Sequence, residues 1–396
     1  MLTSPIKLAV CCMLLFGGSV SLGRGPCESV VPYHPVQVNV ESRQLSSLTV
    51  TVEGSWDDGI ADLVVQDSLV YCAMGDGLMI VDVRDPSEPE FVSRMRFPDA
   101  VGRDLRLRGD YVYLCSGTGA AGMLRVIDAS DPLVPFLLGS CPRPGARGLD
   151  VIDSLSLVAN GEETGGINGM YLLNIVDPAN MILVDSVVTD NEPVRARVRG
   201  DYAYLVGFGG LYTIDISDPA DATIMSQFSP DIDYIPFDLD LRDNDSLLYV
   251  ADLSSIWPAY WSAFSVYNVA DPENPSLWGR YALAASVDDV KVKGDIAYVS
   301  NGSCGLQVFD ISDPTSPDSV GRYQTPSVFV NGIQSFAGRL AIQDDLLFLA
   351  DIGPYMIDAE GNICYPSAPE PGDPSPGDLI ILDISTPAEP TLVGHF

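Results

Sequence analysis

The chain has 396 residues, 46% of them apolar and 19% charged, so it is long enough to bury a substantial core. Its 54 Asp and Glu residues outnumber its 21 Lys and Arg residues, which gives a formal net charge of −33. This balance argues against nucleic acid and anionic membrane surfaces as partners, because binding either depends on Lys and Arg neutralising phosphate.

The first 23 residues have the pattern of a secretory signal peptide. Lys7 precedes an apolar run over residues 8–16, and small residues up to Gly23 predict cleavage before Arg24. The apolar run is too short to span a bilayer, and no later run reaches about 18 apolar residues. We therefore expect a protein that is secreted or held at the cell surface or in the periplasm, without a membrane span. Residues 24–46 are expected to form an N-terminal extension.

One short motif, Asp or Asn followed three residues later by Asp-Pro, recurs along the rest of the chain; the last copy has Thr-Pro. The copies are Asp82–Pro86, Asp128–Pro132, Asn174–Pro178, Asp215–Pro219, Asn268–Pro272, Asp310–Pro314 and Asp383–Pro387. Most of them lie roughly 40 to 50 residues apart, the period of four-stranded propeller blades. Proline ends a strand because it lacks an N–H, and the aspartates can accept hydrogen bonds from nearby backbone N–H groups. We interpret these aspartates as turn residues.

Each copy contains four short β-rich runs. In the sixth copy they are residues 290–293, 296–299, 306–309 and 319–323, separated by Gly, Asn, Asp and Pro. Such runs predict a meander of antiparallel strands. One four-stranded sheet cannot bury both faces alone, so the copies must stack. Seven copies predict an all-β fold, a seven-bladed β-propeller over residues 47–396.

The third runs of several copies resemble the LVIVD repeat family of bacterial and archaeal extracytoplasmic proteins. They include residues 78–81, 124–127 and 379–382, and turns such as Gly200–Tyr204 support the same resemblance. It extends from about Ala61 to Phe396. The resemblance implies a propeller-like fold and little about activity.

The sequence contains two insertions and has two candidates for the strand that closes the ring. The fifth copy has an insertion at residues 253–262, and the seventh has a longer one at residues 353–377. Residues 48–56 and 391–396 both resemble fourth strands. We favour residues 48–56 as the closing strand, paired into the last blade; otherwise one of the two adds a fifth strand.

The cysteines and histidines exclude several kinds of site. Once Cys11 and Cys12 leave with the signal, no C-x-x-C spacing remains, which argues against zinc or thioredoxin-like chemistry. We expect Cys304 and Cys364, both in loops between second and third runs, to form a disulfide, and Cys72 and Cys115 to be core residues. The two histidines, at positions 34 and 395, do not fit a catalytic triad, so no catalytic residue is predicted.

One set of polar residues shares a position in the fold. Aligning the first runs places Asp62, Asp104, Gly148, Arg195, Asp238, Asp289 and Arg339 at the mouth of the central channel; we call these the entry ring. Arg103 and Arg147 stand one residue earlier in their copies. The ring predicts a site for a polar ligand or cation, with weak calcium binding because Asp oxygens are hard ligands. Alternatively, the residues pair with one another and cap strand ends.

Aromatic residues in the fifth copy's insertion, Trp257, Tyr260 and Trp261, fall on the same face as the entry ring. They are expected to stack on a sugar, or else to cover the blade's own apolar face. The leading functional hypothesis is a secreted, monomeric, non-catalytic binding or scaffold module for a protein or carbohydrate partner, with no cofactor. The alternatives are a carboxylate-dependent glycan hydrolase or lyase and a cell-surface structural protein.

Overall fold

All seven sequence copies fold into four-stranded antiparallel sheets in a computed structural model of the chain. The structure describes residues 59–97, 102–117, 119–161, 166–229, 233–242, 246–254, 262–283, 285–302, 304–325, 336–352, 356–357, 363–364 and 379–396. The predicted signal peptide, the N-terminal extension and the candidate closing strand at residues 48–56 lie outside these ranges and stay predictions.

The strands follow the chain order within each blade. Blade 1 comprises β1 Ile60–Gln66, β2 Leu69–Met74, β3 Gly77–Asp82 and β4 Glu90–Arg96; blade 2 comprises β5 Gly102–Arg108, β6 Tyr111–Ser116, β7 Met123–Asp128 and β8 Phe136–Pro142. Blade 3 comprises β9 Ala146–Ile152, β10 Leu155–Asn160, β11 Gly169–Asn174 and β12 Ile182–Val188; blade 4 comprises β13 Pro193–Arg199, β14 Tyr202–Gly207, β15 Gly210–Asp215 and β16 Thr223–Phe228. Blade 5 comprises β17 Tyr234–Leu241, β18 Leu247–Ser254, β19 Ser262–Asn268 and β20 Ser276–Leu283; blade 6 comprises β21 Val290–Lys293, β22 Ile296–Ser300, β23 Leu306–Asp310 and β24 Asp318–Tyr323. Blade 7 comprises β25 Phe336–Gln343, β26 Leu346–Ile352, β29 Leu379–Asp383 and β30 Thr391–His395, and its insertion carries the small pair β27 Met356–Ile357 and β28 Ile363–Cys364.

The seven sheets close into a ring. The first strand of every blade contacts the first strand of the next, and β25 of blade 7 contacts β1 of blade 1. The predicted all-β, seven-bladed propeller is therefore confirmed. The fourth strand of blade 7 is β30, from the C-terminal end of the chain. Within the described residues the only helical element is a single 3-10 turn at Gly119–Ala121, and no helix there is long and apolar enough to cross a membrane.

The recurring aspartates hold turns, as the sequence predicts. In blade 4 the Asp215 carboxylate accepts a hydrogen bond from the N–H of Ser217 at 2.8 Å, and Asp218 accepts one from Ala220 at 3.0 Å. The backbone N–H that follows the third strand donates at 2.8 Å to the hairpin between the first two strands in every blade, as Ile216 does to Asp201. The motif thus fixes the turn and ties it to its own blade.

Each of these turns also packs on the preceding blade. The carbonyl of Pro132 in blade 2 accepts a hydrogen bond from the hydroxyl of Ser93 in blade 1 at 2.6 Å. At Gly394 in blade 7, a Cβ would lie 2.1 Å from the carbonyl oxygen of Pro86, so only glycine fits against the blade 1 turn. The same contact therefore links neighbouring blades and closes the ring between the last blade and the first.

The hydrophobic core consists of seven clusters, one between each pair of adjacent blades. Cys72 belongs to the cluster between blades 7 and 1, and Cys115 belongs to the cluster between blades 2 and 3. Both thiols are free and buried, which confirms the prediction that they are core residues. Because every cluster needs two blades, burial of the apolar faces requires the whole ring.

Candidate functional site

A β-bulge near the start of the first strand aims the entry ring at the channel. In blade 2 the pairing of β5 with β6 shifts between Gly102 and Asp104, so Arg103 is the extra residue. Equivalent shifts occur in blades 1, 3, 4, 5 and 7. A bulge re-aims the side chain beside it. The six charged members of the ring are buried, with exposed fractions of 8% or less, in the bulged blades and in blade 6 alike.

Three ring aspartates bind the backbone of the next blade. The Asp62 carboxylate accepts the N–H of Leu105 at 3.1 Å, and Asp104 accepts that of Leu149 at 2.7 Å. In the same way, Asp289 accepts the N–H of Leu340 at 2.8 Å. In each case the donor directly follows the ring position of the next blade. These carboxylates therefore join first strands to one another across the channel wall.

The fourth ring aspartate, Asp238, lies among three arginines. The Nε of Arg195 is 3.3 Å from its Oδ2, and the Nη1 of Arg339 binds the same oxygen. Arg197, two residues beyond the ring position, brings its Nη2 to 3.6 Å from Oδ1. One buried carboxylate thus compensates guanidinium groups from blades 4 and 7. The contacts of Arg195 and Arg339 with Asp238 join ring residues to one another, as the alternative interpretation of the sequence predicts.

Sequence alignment of the ring missed a second layer of charge two residues further along the first strands. Its charged members are Arg106, Asp150, Arg197, Asp240 and Lys291, which we call the second tier. Arg106 contacts Asp62 at 3.4 Å, Asp104 at 2.8 Å and Asp150 at 3.6 Å, while Lys291 binds Asp289. Side chains two apart on a strand point the same way, so this period-2 signal was available in the sequence.

The buried carboxyl groups of blades 1 and 2 differ in acidity. Burial, together with the neighbouring Asp104, raises the pKa of Asp62 to about 7. Burial would also raise the pKa of Asp104, but Arg106 and Arg195 hold it below its ordinary value. For Asp238, likewise, three arginines overcome the effect of burial and lower the pKa to about 2. Of the two hydrogen-bonded carboxyl groups, Asp62 is therefore the one that binds a proton more readily.

Replacing Asp62 with asparagine is expected to change how stability depends on pH. Because folding raises the pKa of Asp62, its contribution to stability is complete below the unfolded value of about 3.8 and is lost as the pH rises through about 7. Asparagine cannot ionise, so the melting temperature of Asp62→Asn relative to wild type should rise between about pH 4 and pH 8. Thermal melts across this range measure the difference, with the exposed Asp318→Asn variant as control. A difference that stays constant with pH would contradict the assignment.

The two arginines on bulges lie beside loops at the channel mouth. The Nε of Arg103 donates to the carbonyl of Gly117 at 3.0 Å, and the Nη2 of Arg147 is 3.2 Å from the Glu192 carboxylate. These partners are in the loop after β6 and just before β13, so both guanidinium groups stay at the mouth. Three further predicted site residues, Trp257, Tyr260 and Trp261, lie outside the described residues, and their role stays a prediction.

Cys304 forms a disulfide, whereas the described cysteines at positions 72, 115 and 141 are free. Its pairing with Cys364 stays a prediction, because the Cys364 side chain lies outside the described part of the molecule. No group of three His, Cys, Asp or Glu side chains is arranged for a metal ion in the residues that the structure describes. Weak calcium binding at the entry ring also stays a prediction.

Comparisons with known proteins agree with this fold. The LVIVD repeat model matches residues 59–96, 102–142, 195–229, 284–325 and 375–396. The computationally designed Ika8 protein has a TM-score of 0.57 at 11% identity, over 87% of this chain and 88% of that one. A functionally unknown protein from Desulfotomaculum acetoxidans has a TM-score of 0.54 at 14% identity, over 66% and 84%. Sqt1 from Saccharomyces cerevisiae has 0.55 at 9% identity, over 83% and 93%.

At these identities the solved structures show a shared fold and nothing about activity. A search of curated proteins gave no match to the chain. The matches to the repeat model fall on five of the seven blades, and their strands are the ones that the sequence motif predicts. The resemblance seen in the sequence is thereby confirmed: the chain carries LVIVD repeats at five places and folds as a seven-bladed β-propeller.

Proposed function

We propose that this protein is an exported, non-catalytic binding module that presents its channel mouth to a polar ligand on a protein or carbohydrate. One observation carries the proposal: the charged side chains of the entry ring form hydrogen bonds and ion pairs with neighbouring blades. Asp104, for example, binds both Leu149 of blade 3 and Arg106 of its own strand. A network of this kind makes the channel wall rigid, and a rigid scaffold lowers the entropy lost when a ligand binds.

The side chains that contact the ligand are then those of Arg103 and Arg147, which lie at the channel mouth beside the ring. Arg103 and Arg147 occupy bulges at the mouth, and their guanidinium groups carry several N–H donors in a planar fork. Both belong to neighbouring blades, 2 and 3, so one ligand can reach both. Carboxylate, phosphate or carbonyl oxygens are the acceptors that such a pair recognises.

The rival hypothesis, a carboxylate-dependent glycan hydrolase or lyase, has one observation in its favour. Asp62 and Asp104 form a carboxyl pair whose pKa values are shifted in opposite directions, an arrangement found in acid–base catalysis. Their direct hydrogen bond places the two groups closer than the separation of about 5–5.5 Å or 6.5–9.5 Å that glycosidases use. Both are also fully buried among strands. These features support a structural role for the pair.

A panel of glycans and peptides tests the proposal, with turnover measured in parallel on the same samples. We expect binding without turnover, and we expect Arg103→Ala with Arg147→Ala to weaken it at least tenfold in a protein that still melts cooperatively. Arg322→Ala, on the exposed outer strand of blade 6, is the matched control. Turnover that Asp62→Asn abolishes in a folded protein would favour the enzyme instead. Binding that both arginine variants retain would move the site away from the mouth.

Export is part of the same proposal. The disulfide at Cys304 supports it, because disulfides persist in oxidising compartments and are rare in the cytosol. Mass spectrometry of the protein from its native cells should find a mature chain that begins at Arg24. A chain that retains residues 1–23 would contradict export.

A further inference from the structure

An apolar patch lies on the outer rim of blades 2 and 3, away from the channel. Leu133 and Val134, in the turn before β8, are 70% and 68% exposed, and Val176, in the turn before β12, is 73% exposed. Phe136 and Ile182, which begin β8 and β12, are also exposed. We call these five residues the rim patch. Its two halves are adjacent because the blade 3 turn packs on β8, where a Cβ at Gly139 would lie 2.6 Å from the carbonyl oxygen of Pro178.

The other blades show that the fold does not require apolar residues here. The positions of Leu133 and Val134 are held by Ser87 and Glu88 in blade 1, and by Thr315 and Ser316 in blade 6. The position of Phe136 is Glu90, Thr223, Ser276, Asp318 and Thr391 in blades 1, 4, 5, 6 and 7. The turns keep the same hydrogen bonds in blades 2, 4 and 6, so exposed apolar side chains add nothing to them. Clustered exposed apolar residues instead mark an interaction surface.

The charges around the rim patch select the kind of partner. Asp131 and Asp177 are exposed and flank its apolar residues on the two turns. The sequence contains no Lys or Arg between Arg125 and Arg143, or between Arg147 and Arg195. The turns and outer strands of blades 2 and 3 that form the patch are therefore apolar and acidic. A second copy of this chain, with a formal charge of −33, would add repulsion at the same place.

The strand edges beside the patch are also available. Strands β8 and β12 are the outer strands of their sheets, so one side of each is unpaired within the described residues. Strand β8 has no charged residue, whereas the outer strand β4 of blade 1 carries Glu90, Arg94 and Arg96. Charges on an edge strand discourage pairing with another chain, and β8 has none. An extended segment can add to such an edge with its side chains on the patch.

We propose that the rim patch docks a partner protein through an extended segment in which apolar residues alternate with Lys or Arg. The apolar side chains cover Leu133, Val134 and Ile182, and the basic ones pair with the flanking aspartates. This surface is separate from the channel mouth, so it does not depend on the function proposed there.

Peptide binding to the full-length protein tests the docking surface. The probes are a short fluorescent peptide that alternates Leu and Lys and a matched peptide that alternates Leu and Glu, with affinities measured by fluorescence anisotropy. We expect the Leu–Lys peptide to bind at least tenfold more tightly than the Leu–Glu peptide, with an affinity that falls as salt rises. Equal affinity of the two peptides for the Arg103→Ala with Arg147→Ala variant, which removes the carboxylate-binding pair at the mouth, or no binding of either peptide, would overturn the proposal.

Substitutions that copy the residues at equivalent positions of other blades show where the peptide binds. Leu133→Ala with Val134→Asn reproduces the Asp-Pro-Ala-Asn turn of blade 3, and Phe136→Thr reproduces the residue at Thr223, so folding is retained. The combined variant should lose at least tenfold in affinity for the Leu–Lys peptide, whereas the control Leu392→Thr, on the outer strand of blade 7, should not. Arg103→Ala with Arg147→Ala should leave peptide binding unchanged.

Two further measurements exclude other occupants of the patch. If light scattering shows that the wild-type protein is a dimer and that the combined variant is a monomer, a second copy occupies the patch and the proposal fails. Binding to vesicles of neutral phospholipid that the combined variant loses would assign the patch to a membrane and also overturn it. A wild-type monomer that ignores such vesicles agrees with the proposal.

Discussion

Asp238→Asn is expected to lower the free energy of unfolding by about 3–5 kcal/mol, the usual cost of removing one partner from a buried ion pair. The carboxylate of Asp238 is 2% exposed and is shared by Arg195, Arg197 and Arg339. Asparagine keeps the size of the side chain and removes its charge. Three guanidinium groups from blades 4 and 7 would then be buried around a neutral amide. Urea denaturation followed by intrinsic fluorescence measures the loss.

Two further variants distinguish the loss of the buried ion pairs of Asp238 from the loss of a carboxylate in general. Asp318→Asn changes an exposed aspartate at the start of an outer strand and should leave the denaturation midpoint unchanged. Asp238→Asn combined with Arg339→Met should be more stable than Asp238→Asn alone, because one uncompensated charge is gone. If Asp238→Asn unfolds at the wild-type midpoint, the arginines do not depend on this carboxylate and the account of the channel wall is wrong.

Gly394→Val is expected to destabilise the seam between blades 7 and 1 by at least about 1–3 kcal/mol, the range for overpacking a well-packed site. A Cβ at this position would lie 2.1 Å from the carbonyl oxygen of Pro86, and neither atom belongs to a flexible side chain. The fourth strand of blade 7 must therefore move away from the blade 1 turn. We expect a lower melting temperature and faster proteolysis near the C-terminal strand.

The control for this substitution is Gly59→Val, since no atom of the described residues beyond its chain neighbours lies within 4 Å of a Cβ built at Gly59. It adds the same volume at the start of blade 1 and should melt with the wild type. The equivalent substitution Gly139→Val, between blades 2 and 3, should destabilise an interior interface and leave the seam closed. If Gly394→Val melts like the wild type and resists protease equally, the turn does not hold the ring closed.

Local features of the fold could be read from the sequence because their causes are local. The turn at Asp215 and Asp218 depends on carboxylates that bind N–H groups two residues away. The hairpins need a residue with positive φ, and Gly200 (φ 55°) and Asp67 (φ 56°) supply it. The number of blades followed from the number of copies, because an unpaired sheet face has to be covered.

The candidate site was only partly predictable. Alignment of the first strands singled out residues that contact one another between blades, as Arg195 and Arg339 contact Asp238, whereas their role in binding a ligand stays a prediction. It did not find Arg106, Lys291 or the other second-tier residues, although strand alternation placed them on the same face. Nor did it predict that Asp238 compensates three arginines, because Arg195 and Arg339 come from different blades and are far apart in the chain.

The sequence by itself therefore determined the repeat, the turns, the strand pattern and the propeller class, all of which depend on contacts within one copy or on the count of copies. Only the tertiary structure decided which charges pair, which carboxyl group has a raised pKa and which strand is fourth in the last blade. Those outcomes depend on burial and on distances between blades. A carboxylate such as Asp62 has an ordinary pKa in the unfolded chain, and closing the ring around it changes that value.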